Sequence, residues 1–303
     1  MSTILGVEQT PPKTTVPPGA CDCHTHVFGP AASYPFSPGR TYTPGDASVQ
    51  DLLALHALLG MQRVVIVHPS PYGTDNRCSV DAIRMLGERA RGVAVIGEVA
   101  PAAELRGLHE AGMRGVRVNL ETFGPIDPEE AWRRLAATAR LVAPFGWHVQ
   151  IYTNLALIAA LGDRLLTLPT PLVIDHFGRA VAANGTGQPG FDLLLGLLAS
   201  GKAYVKLSGA HRISQRPGYT DAAPIARALI AANPERLVWG TDWPHPGARH
   251  GQPRSLDEIE PFHAEDDGAA LDRLAEWAGD AATLARILVD NPARLYDFPA
   301  MPA

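Results

Sequence analysis

The feature that most constrains the fold is an alternation of short apolar runs with longer helical patterns. Several runs, such as residues 64–67 and 172–174, are apolar at every position. Continuous apolar runs are typical of strands that are covered on both faces, as in a parallel sheet. The eight predicted strands cover residues 20–26, 63–69, 92–99, 115–120, 148–153, 171–176, 204–209 and 237–242.

Helical patterns separate these strands, and Gly60, Gly112, Gly146 and Gly201 stand where a helix end favours a left-handed residue. Eight strands that alternate with helices over 303 residues predict an α/β fold, a single-domain (β/α)8 TIM-like barrel. A doubly wound open sheet is the alternative fold. It is disfavoured because the first strand is not followed by G-x-G-x-x-G and the sequence contains no Walker loop.

Segments at both ends of the chain are expected to extend the barrel. Residues 1–19 are expected to form an extended N-terminal arm, because proline and glycine are frequent in 11–19. The barrel domain is then expected to span 20–303. Within it, the polar segment 246–267 is predicted to form a long loop over the barrel mouth, followed by C-terminal helices.

Composition narrows the function classes. The net charge of −5, without any Lys/Arg run, argues against nucleic acid as the main partner. Three cysteines without a C-x-x-C spacing indicate reduced thiols, and we expect a cytoplasmic protein. We expect no membrane partner either, since no apolar run reaches the length of a membrane span. The sequence leaves a homo-oligomer open.

Polar side chains collect at the predicted strand ends, where the chemistry of a (β/α)8 barrel takes place. A rim of buried His, Arg and Asp is costly to desolvate unless ligand or partner groups satisfy it. His68 also fits a satisfied core histidine, and His56, His109, His250 and His263 are expected to face solvent. The residues at the strand ends are His24, His26, His68, Ser70, Arg117, Asn119, Tyr152, Asp175, His176, Arg179, Ser208, Arg212, Asp242 and His245.

Six motifs carry a family resemblance: CDCHTHVFGP (21–30), SPYGTDN (70–76), MRGVRVN (113–119), WHVQIY (147–152), VIDHFGR (173–179) and WGTDWPHP (239–246). They resemble the amidohydrolase superfamily of the amidohydrolase 2 type. Within it they are most similar to the 2-pyrone-4,6-dicarboxylate lactonases. The likeness extends from Pro17 to Tyr296.

The resemblance implies hydrolysis of a small anionic lactone without a metal. It implies that Asp242 is the general base that activates water, and that His24, His26 and His176 surround the scissile carbonyl. A carboxylate can act in this way when it is ionised and within reach of the water, and donors aimed at the developing oxyanion supply the main electrostatic stabilisation. The candidate substrate-binding residues are Arg117, Arg179, Arg212, Tyr152, Tyr42, Ser70, His245 and Phe123.

One departure from the family pattern concerns substrate specificity. Phe123 stands where the resemblance implies a further substrate-binding arginine. A substrate carboxylate that such an arginine would hold is here buried without a partner, which costs several kcal/mol. We therefore expect a lactone with one fewer carboxylate, or with an apolar or aromatic substituent that faces Phe123.

A metal site stays open as the alternative. His24, His26, His176 and Asp242 could together bind a single Zn²⁺ or Mn²⁺ ion. Metal-independent catalysis is favoured, because the fourth and fifth strands offer Arg117, Asn119 and Tyr152 in place of the ligands that metal-dependent relatives use there. The alternative functions are a sugar-acid lactone isomerase, a metal-dependent amidohydrolase or decarboxylase on the same barrel, and a non-catalytic binder of small anions.

Overall fold

Eight parallel strands form a single sheet in which each strand pairs with its neighbour in chain order. The computed structural model describes residues 2–122, 124–249 and 254–299. The barrel strands are β1 (Cys21–Thr25), β2 (Arg63–Val67), β3 (Ala90–Ala94), β4 (Met113–Asn119), β5 (His148–Tyr152), β6 (Leu172–Ile174), β7 (Ala203–Ser208) and β8 (Leu237–Gly240). The predicted single-domain (β/α)8 barrel is confirmed.

Helices follow the strands and cover the outer face of the sheet. Helix α1 begins with a capping box between Ser48 and Asp51 and ends at Gly60, whose φ of 75° is left-handed. The further helices are α2 (Arg77–Leu86), α3 (Ala102–Glu110), α4 (Pro128–Val142), α5 (Leu155–Leu161), α6 (Phe191–Ala199), α7 (Ala223–Ala232), α8 (Asp267–Ala278), α9 (Ala281–Ala285) and α10 (Asn291–Tyr296), and α1 itself covers Val49–Leu59.

Hydrogen bonds just beyond the strand ends close the barrel between β8 and β1. The Asp242 N–H donates to His24 O over 2.8 Å, and the His26 N–H donates to the Trp243 carbonyl over 2.8 Å. Next to them, the Asp22 carboxylate accepts hydrogen bonds from the backbone N–H of Thr241 at 3.0 Å and from its hydroxyl at 2.7 Å. These bonds fix the residues after β8 against the end of β1.

The third strand begins and ends earlier than predicted. It spans Ala90–Ala94, whereas the sequence predicted residues 92–99, and Val99 is 90% exposed. The Asn76 side chain is bonded to both backbone groups of Val95, accepting from its N–H at 3.0 Å and donating to its carbonyl at 2.7 Å. These bonds occupy the groups that a longer strand would use for pairing.

Two short pairs of strands lie outside the barrel. Ser2–Ile4 and Val7–Gln9 form an antiparallel hairpin, and Thr43–Pro44 pairs with Ile259–Glu260 across the barrel mouth. The second pair holds the segment after β8 beside the loop that follows β1. Among the described residues, none of the helices combines the length and apolar character that crossing a membrane would require.

Candidate active site

The site is centred on the carboxylate of Asp242, which follows β8 and is fully buried. Its Oδ1 lies 3.7 Å from the Nε2 atoms of His24 and His26, and 3.9 Å from Nε2 of His176. Within the part of the chain that the structure describes, this oxygen has no hydrogen-bond partner. The structure therefore brings together the four residues for which the sequence suggested a catalytic role.

The other carboxylate oxygen of Asp242 is bound by an arginine. Arg212 donates from Nε to Oδ2 over 2.6 Å and from a terminal nitrogen to the Pro246 carbonyl over 3.0 Å. Burial by itself would raise the pKa of Asp242, but the Arg212 guanidinium outweighs burial and holds this pKa well below its usual range. Asp242 is thus ionised, with one oxygen held and one oxygen free.

The three imidazoles are neutral, because burial lowers the pKa of His26 and His176, and burial together with the Lys206 ammonium lowers that of His24 to about 3. His26 Nδ1 lies 2.7 Å from the Val67 carbonyl, which can only accept, so Nδ1 carries the hydrogen. The Nε2 atom of His26 therefore presents a lone pair towards Asp242.

His176 can adopt either tautomer. Its Nδ1 is 3.2 Å from the Ser208 carbonyl and 2.9 Å from the Ser208 hydroxyl. If the hydroxyl donates to Nδ1, then Nε2 carries the hydrogen and is a donor towards the site. Both His176 and Asp242 adopt left-handed backbone conformations, with φ of 49° and 71°. Such conformations are costly for residues other than glycine and are concentrated at functional sites.

A buried lysine below the histidines was missed by the sequence analysis. Lys206 on β7 donates to the Cys23 carbonyl at 2.9 Å and to Gln150 Oε1 at 2.7 Å, and it lies 3.3 Å from His24 Nδ1. Lys206 lies in the middle of a strand, so its position does not mark it as a residue of the barrel rim. A charged residue within the apolar run 204–208 was the signal that could have identified it.

Asp175 connects this lysine to the rest of the site. Its carboxylate lies 3.7 Å from Lys206 Nζ, 3.4 Å from His24 Nδ1 and 3.6 Å from Arg117 Nε. Gln150 also donates to it over 3.0 Å. Burial would raise the pKa of Asp175, but His24 and Lys206 outweigh burial and lower it. Asp175 thus contacts a histidine, a lysine and an arginine of the site.

A small cavity that opens to solvent lies above Asp242. The guanidinium of Arg117 lies over the Tyr152 ring, 5.2 Å from its centroid, and the ring packs edge-on against His176. The sequence analysis did not identify Arg254, which lines the same cavity from the segment after β8. Its other polar lining residues include the predicted candidates Tyr42, Ser70, Arg117, Tyr152 and Arg212.

Two further candidates are not brought to this cavity, and a third lies outside the described residues. Arg179 lies behind Tyr152, donating to its hydroxyl over 3.1 Å. His245 contacts Asp267 Oδ2 at 3.2 Å and does not line the cavity. Phe123 lies outside the described residues, so the structure says nothing of its surroundings. Strand-end position alone could not separate Arg179 and His245 from the residues that line the cavity.

The remaining histidines divide into buried and partly exposed ones. His68 is satisfied within the core, by the Ser79 hydroxyl at 3.0 Å and the Gly73 carbonyl at 3.1 Å. The expectation that His56 faces solvent was wrong, because its ring is buried and lies 3.3 Å from the Asp22 carboxylate. His211, which the sequence analysis also missed, lies 3.6 Å from Asp242 Oδ2.

Several of these groups have the composition of a metal site. One ligand atom each from His24, His26 and Asp242 lies within 4.8 Å of the others, and the same holds for His24, Asp175 and His176. Nε2 of His24 and Oδ1 of Asp242, both in the first group, have no hydrogen-bond partner among the residues that the structure describes. These residues could therefore hold a divalent ion.

Comparison with known proteins agrees with this geometry. The chain is 38% identical over 299 residues to a 2-pyrone-4,6-dicarboxylate hydrolase of Comamonas testosteroni, covering 94% of this chain and 92% of that protein. It is 38% identical to a 4-sulfomuconolactone hydrolase of Rhizobium radiobacter, covering 93% and 91% of the two chains. A D-galactarolactone isomerase of Agrobacterium fabrum is 29% identical, covering 95% and 94%.

A solved structure from Pseudomonas putida superposes with a TM-score of 0.78 at 32% identity, covering 93% of this chain and 99% of the other. The model of the family described as amidohydrolase matches residues 21–298. This match includes every barrel strand and every site residue described above. The chain belongs to the amidohydrolase family.

Proposed function

We propose that this protein hydrolyses a small carboxylated lactone, with Asp242 as the general base. The observation that carries the proposal is that the two oxygens of one buried carboxylate have different surroundings. Arg212 binds Oδ2, while Oδ1 is free and faces three imidazoles at the floor of a cavity that contains further arginines. The hydrolase names of the two relatives at 38% identity support the same reaction class.

Two lone pairs are available to position the attacking water. Asp242 Oδ1 and His26 Nε2 are 3.7 Å apart, and both are acceptors, so a water between them can donate one hydrogen to each. Its oxygen then attacks the lactone carbonyl while Asp242 takes up a proton. We assign His26 to this water, which refines the role at the carbonyl that the family resemblance implied.

The developing oxyanion needs hydrogen-bond donors. His176 supplies one from Nε2 when the Ser208 hydroxyl donates to its Nδ1, and we place His24 beside it through the contact between the two rings, whose centroids are 4.7 Å apart. When the tetrahedral intermediate collapses, the ring C–O bond breaks and the leaving alkoxide takes the proton from Asp242. The products are the ring-opened hydroxy acid and the free base.

The acidic group of the lactone would be bound by the arginines of the cavity. Arg117 is held on one side by Asp175 and on its face by Tyr152, which leaves the rest of the guanidinium for the substrate. Tyr42 and Ser70 add hydroxyl groups to the same wall. Arg179 contacts the site through the Tyr152 hydroxyl, and the His245 N–H donates to the Asp242 carbonyl over 2.8 Å. A substrate contact of Phe123 stays a prediction.

We propose that turnover needs no metal. Two cations already contact the groups in question, because Lys206 lies 3.3 Å from His24 and Arg212 lies 2.6 Å from Asp242. If a single Zn²⁺ or Mn²⁺ ion were bound, His24, His26 and Asp242 would hold it, and it would supply Lewis-acid activation. Metal analysis of the purified protein and assay after chelation test this point. A stoichiometric metal whose removal abolishes turnover would overturn it.

The experiment that tests the reaction is a panel of mono- and dicarboxylated lactones, assayed by the proton that ester hydrolysis releases. Turnover in ¹⁸O-labelled water should place one labelled oxygen in the new carboxylate. The isomerase relative makes lactone isomerisation the second candidate. Isomerisation would consume the lactone without label or proton release, and a panel without any turnover would contradict both activities.

We also propose that the protein is located in the cytoplasm. Cys21, Cys23 and Cys78 are free and buried, which fits the reduced thiols expected of a cytoplasmic enzyme. Fractionation of the cells that produce the protein would test the location, and the oligomeric state needs light scattering of the purified chain.

A further inference from the structure

A third guanidinium reaches the cavity from the segment after β8. Arg254 lines the cavity together with Arg117 and Arg212, and its guanidinium lies over the Tyr42 ring, 5.4 Å from the centroid. Glu260 holds it along one edge, with Nε 2.9 Å from Oε2 and a terminal nitrogen 3.2 Å from Oε1. A guanidinium has five N–H donors, so this edge leaves donors on the opposite edge free to bind an anion.

Gly247 lies between two of these guanidiniums. A Cβ built on Gly247 would be 3.7 Å from Nη2 of Arg254 and 3.8 Å from Nη1 of Arg212. Nη2 of Arg254 directs one hydrogen to Glu260 Oε1 and carries a second hydrogen that can bind an anion. Both arginines therefore converge on the space beside one residue without a side chain. The Arg212 nitrogen on this side, Nη1, is not the atom that binds Asp242 or Pro246.

We propose that Arg254 and Arg212, on either side of Gly247, form a second anion subsite that binds another acidic group of the lactone. This inference rests on the proposed function and deepens it, because it names the substrate class as a lactone with two acidic substituents, carboxylate or sulfonate. One is held at Arg117 and the other at the subsite. An arginine from another loop thereby supplies the charge that the family resemblance implies at position 123, so a second acidic group would have a partner. This proposal replaces the expectation of a lactone with one fewer carboxylate.

The alternative is that Arg254 only fastens its loop to Glu260. The two readings differ in what Glu260 does. At a subsite, the Glu260 carboxylate weakens anion binding, because it lies against the same guanidinium and its negative charge repels the bound acidic group. If Arg254 is only structural, its role is to bind Glu260. Removal of the Glu260 charge then cannot improve anion binding.

Binding calorimetry with two stable planar probes tests the subsite without turnover. The probes are isophthalate, which has two carboxylates, and benzoate, which has one. Arg254→Met should weaken isophthalate binding about tenfold, as expected for the loss of one charge-assisted contact, and leave benzoate binding within twofold. Glu260→Gln should tighten isophthalate binding. Arg249→Met is the matched control, because Arg249 belongs to the same loop, pairs with Glu258 and does not line the cavity.

The subsite and the loop contact predict different binding results. Equal losses for both probes in Arg254→Met, or weaker isophthalate binding in Glu260→Gln, would overturn the subsite and leave Arg254 as a loop contact. If the subsite is real, Arg254→Lys should recover only part of the isophthalate affinity, because lysine lacks the fork. A protein that binds isophthalate as expected but opens none of the lactones would contradict the proposed function and leave the subsite standing.

Discussion

The backbone N–H of Asp242 donates to the carbonyl oxygen of His24 over 2.8 Å, at the point where the last barrel strand meets the first. Two residues that are more than 200 positions apart in sequence are thus fixed as neighbours by the closure of the barrel. The Asp242 carboxylate and the His24 ring meet within the barrel at 3.7 Å. The geometry of the site therefore depends on the same bonds that close the sheet.

The first prediction concerns the base. Asp242→Asn should lower kcat about 1,000-fold, because an amide of the same shape cannot take up the proton of the water. KM for an anionic lactone should stay the same or fall, since Arg212 loses its competing partner. Steady-state kinetics measure both constants. Asp192→Asn, at an exposed position on α6, serves as the control, and an unchanged kcat in Asp242→Asn would remove this residue from the mechanism.

A second prediction concerns the close approach of a loop to the site. Gly209 has φ of 60°, and a Cβ there would lie 3.0 Å from Asp242 Oδ2 and 3.1 Å from His176 Nδ1. Gly209→Ala should therefore displace both side chains and lower kcat. Gly146 is also left-handed, with φ of 68°, but has open space where a Cβ would lie, so Gly146→Ala isolates the backbone strain.

Both alanine variants should lose about 1–2 kcal/mol of unfolding free energy through the left-handed conformation. Only Gly209→Ala should lose activity. Denaturant unfolding and kinetics on the same samples make the comparison, and equal activity of the two variants would show that the site tolerates the displacement.

The third prediction addresses the buried lysine. Lys206→Met should lower the unfolding free energy by about 3–5 kcal/mol, because it leaves the buried Asp175 carboxylate without its ammonium partner. The double variant Lys206→Met/Asp175→Asn should recover part of this loss, since no unpaired charge then remains. Urea unfolding measures each variant. A double variant no more stable than Lys206→Met would mean that the lysine acts through packing alone.

The fourth prediction is a dependence of stability on pH. Burial lowers the pKa of His24, His68 and His148 to about 3. Below about pH 6.5 the unfolded chain binds protons at these positions and the folded chain does not. The unfolding free energy should therefore fall as the pH is lowered from about 6.5 towards 3, by about 1.4 kcal/mol per unit for each histidine.

Urea unfolding at pH 7, 6 and 5 measures this slope. His148→Leu should reduce this slope by about 1.4 kcal/mol per pH unit, which is the contribution of one proton. His148 suits this test because it lies on β5 away from the cavity and has no hydrogen-bond partner among the described residues. A slope that begins only near pH 4 would assign the effect to carboxylates.

The sequence was sufficient for the features that depend on local pattern. Apolar runs with the length of strands, helical periodicity and glycines at helix ends identified the eight strands and the order of the barrel. Because the C-terminal ends of parallel strands gather at one face, position in a strand also brought His24, His26, His176 and Asp242 into one group.

Tertiary structure alone decided which polar groups meet. Arg179 and His245 follow strands as Arg212 and Asp242 do, yet they turn to Tyr152 and Asp267, because the direction of a side chain after a strand end depends on the path of its loop. Arg254 reaches the cavity through a pairing of distant segments, Thr43–Pro44 with Ile259–Glu260. Local pattern carries no information on such partners, since burial and charge pairing are properties of the closed barrel.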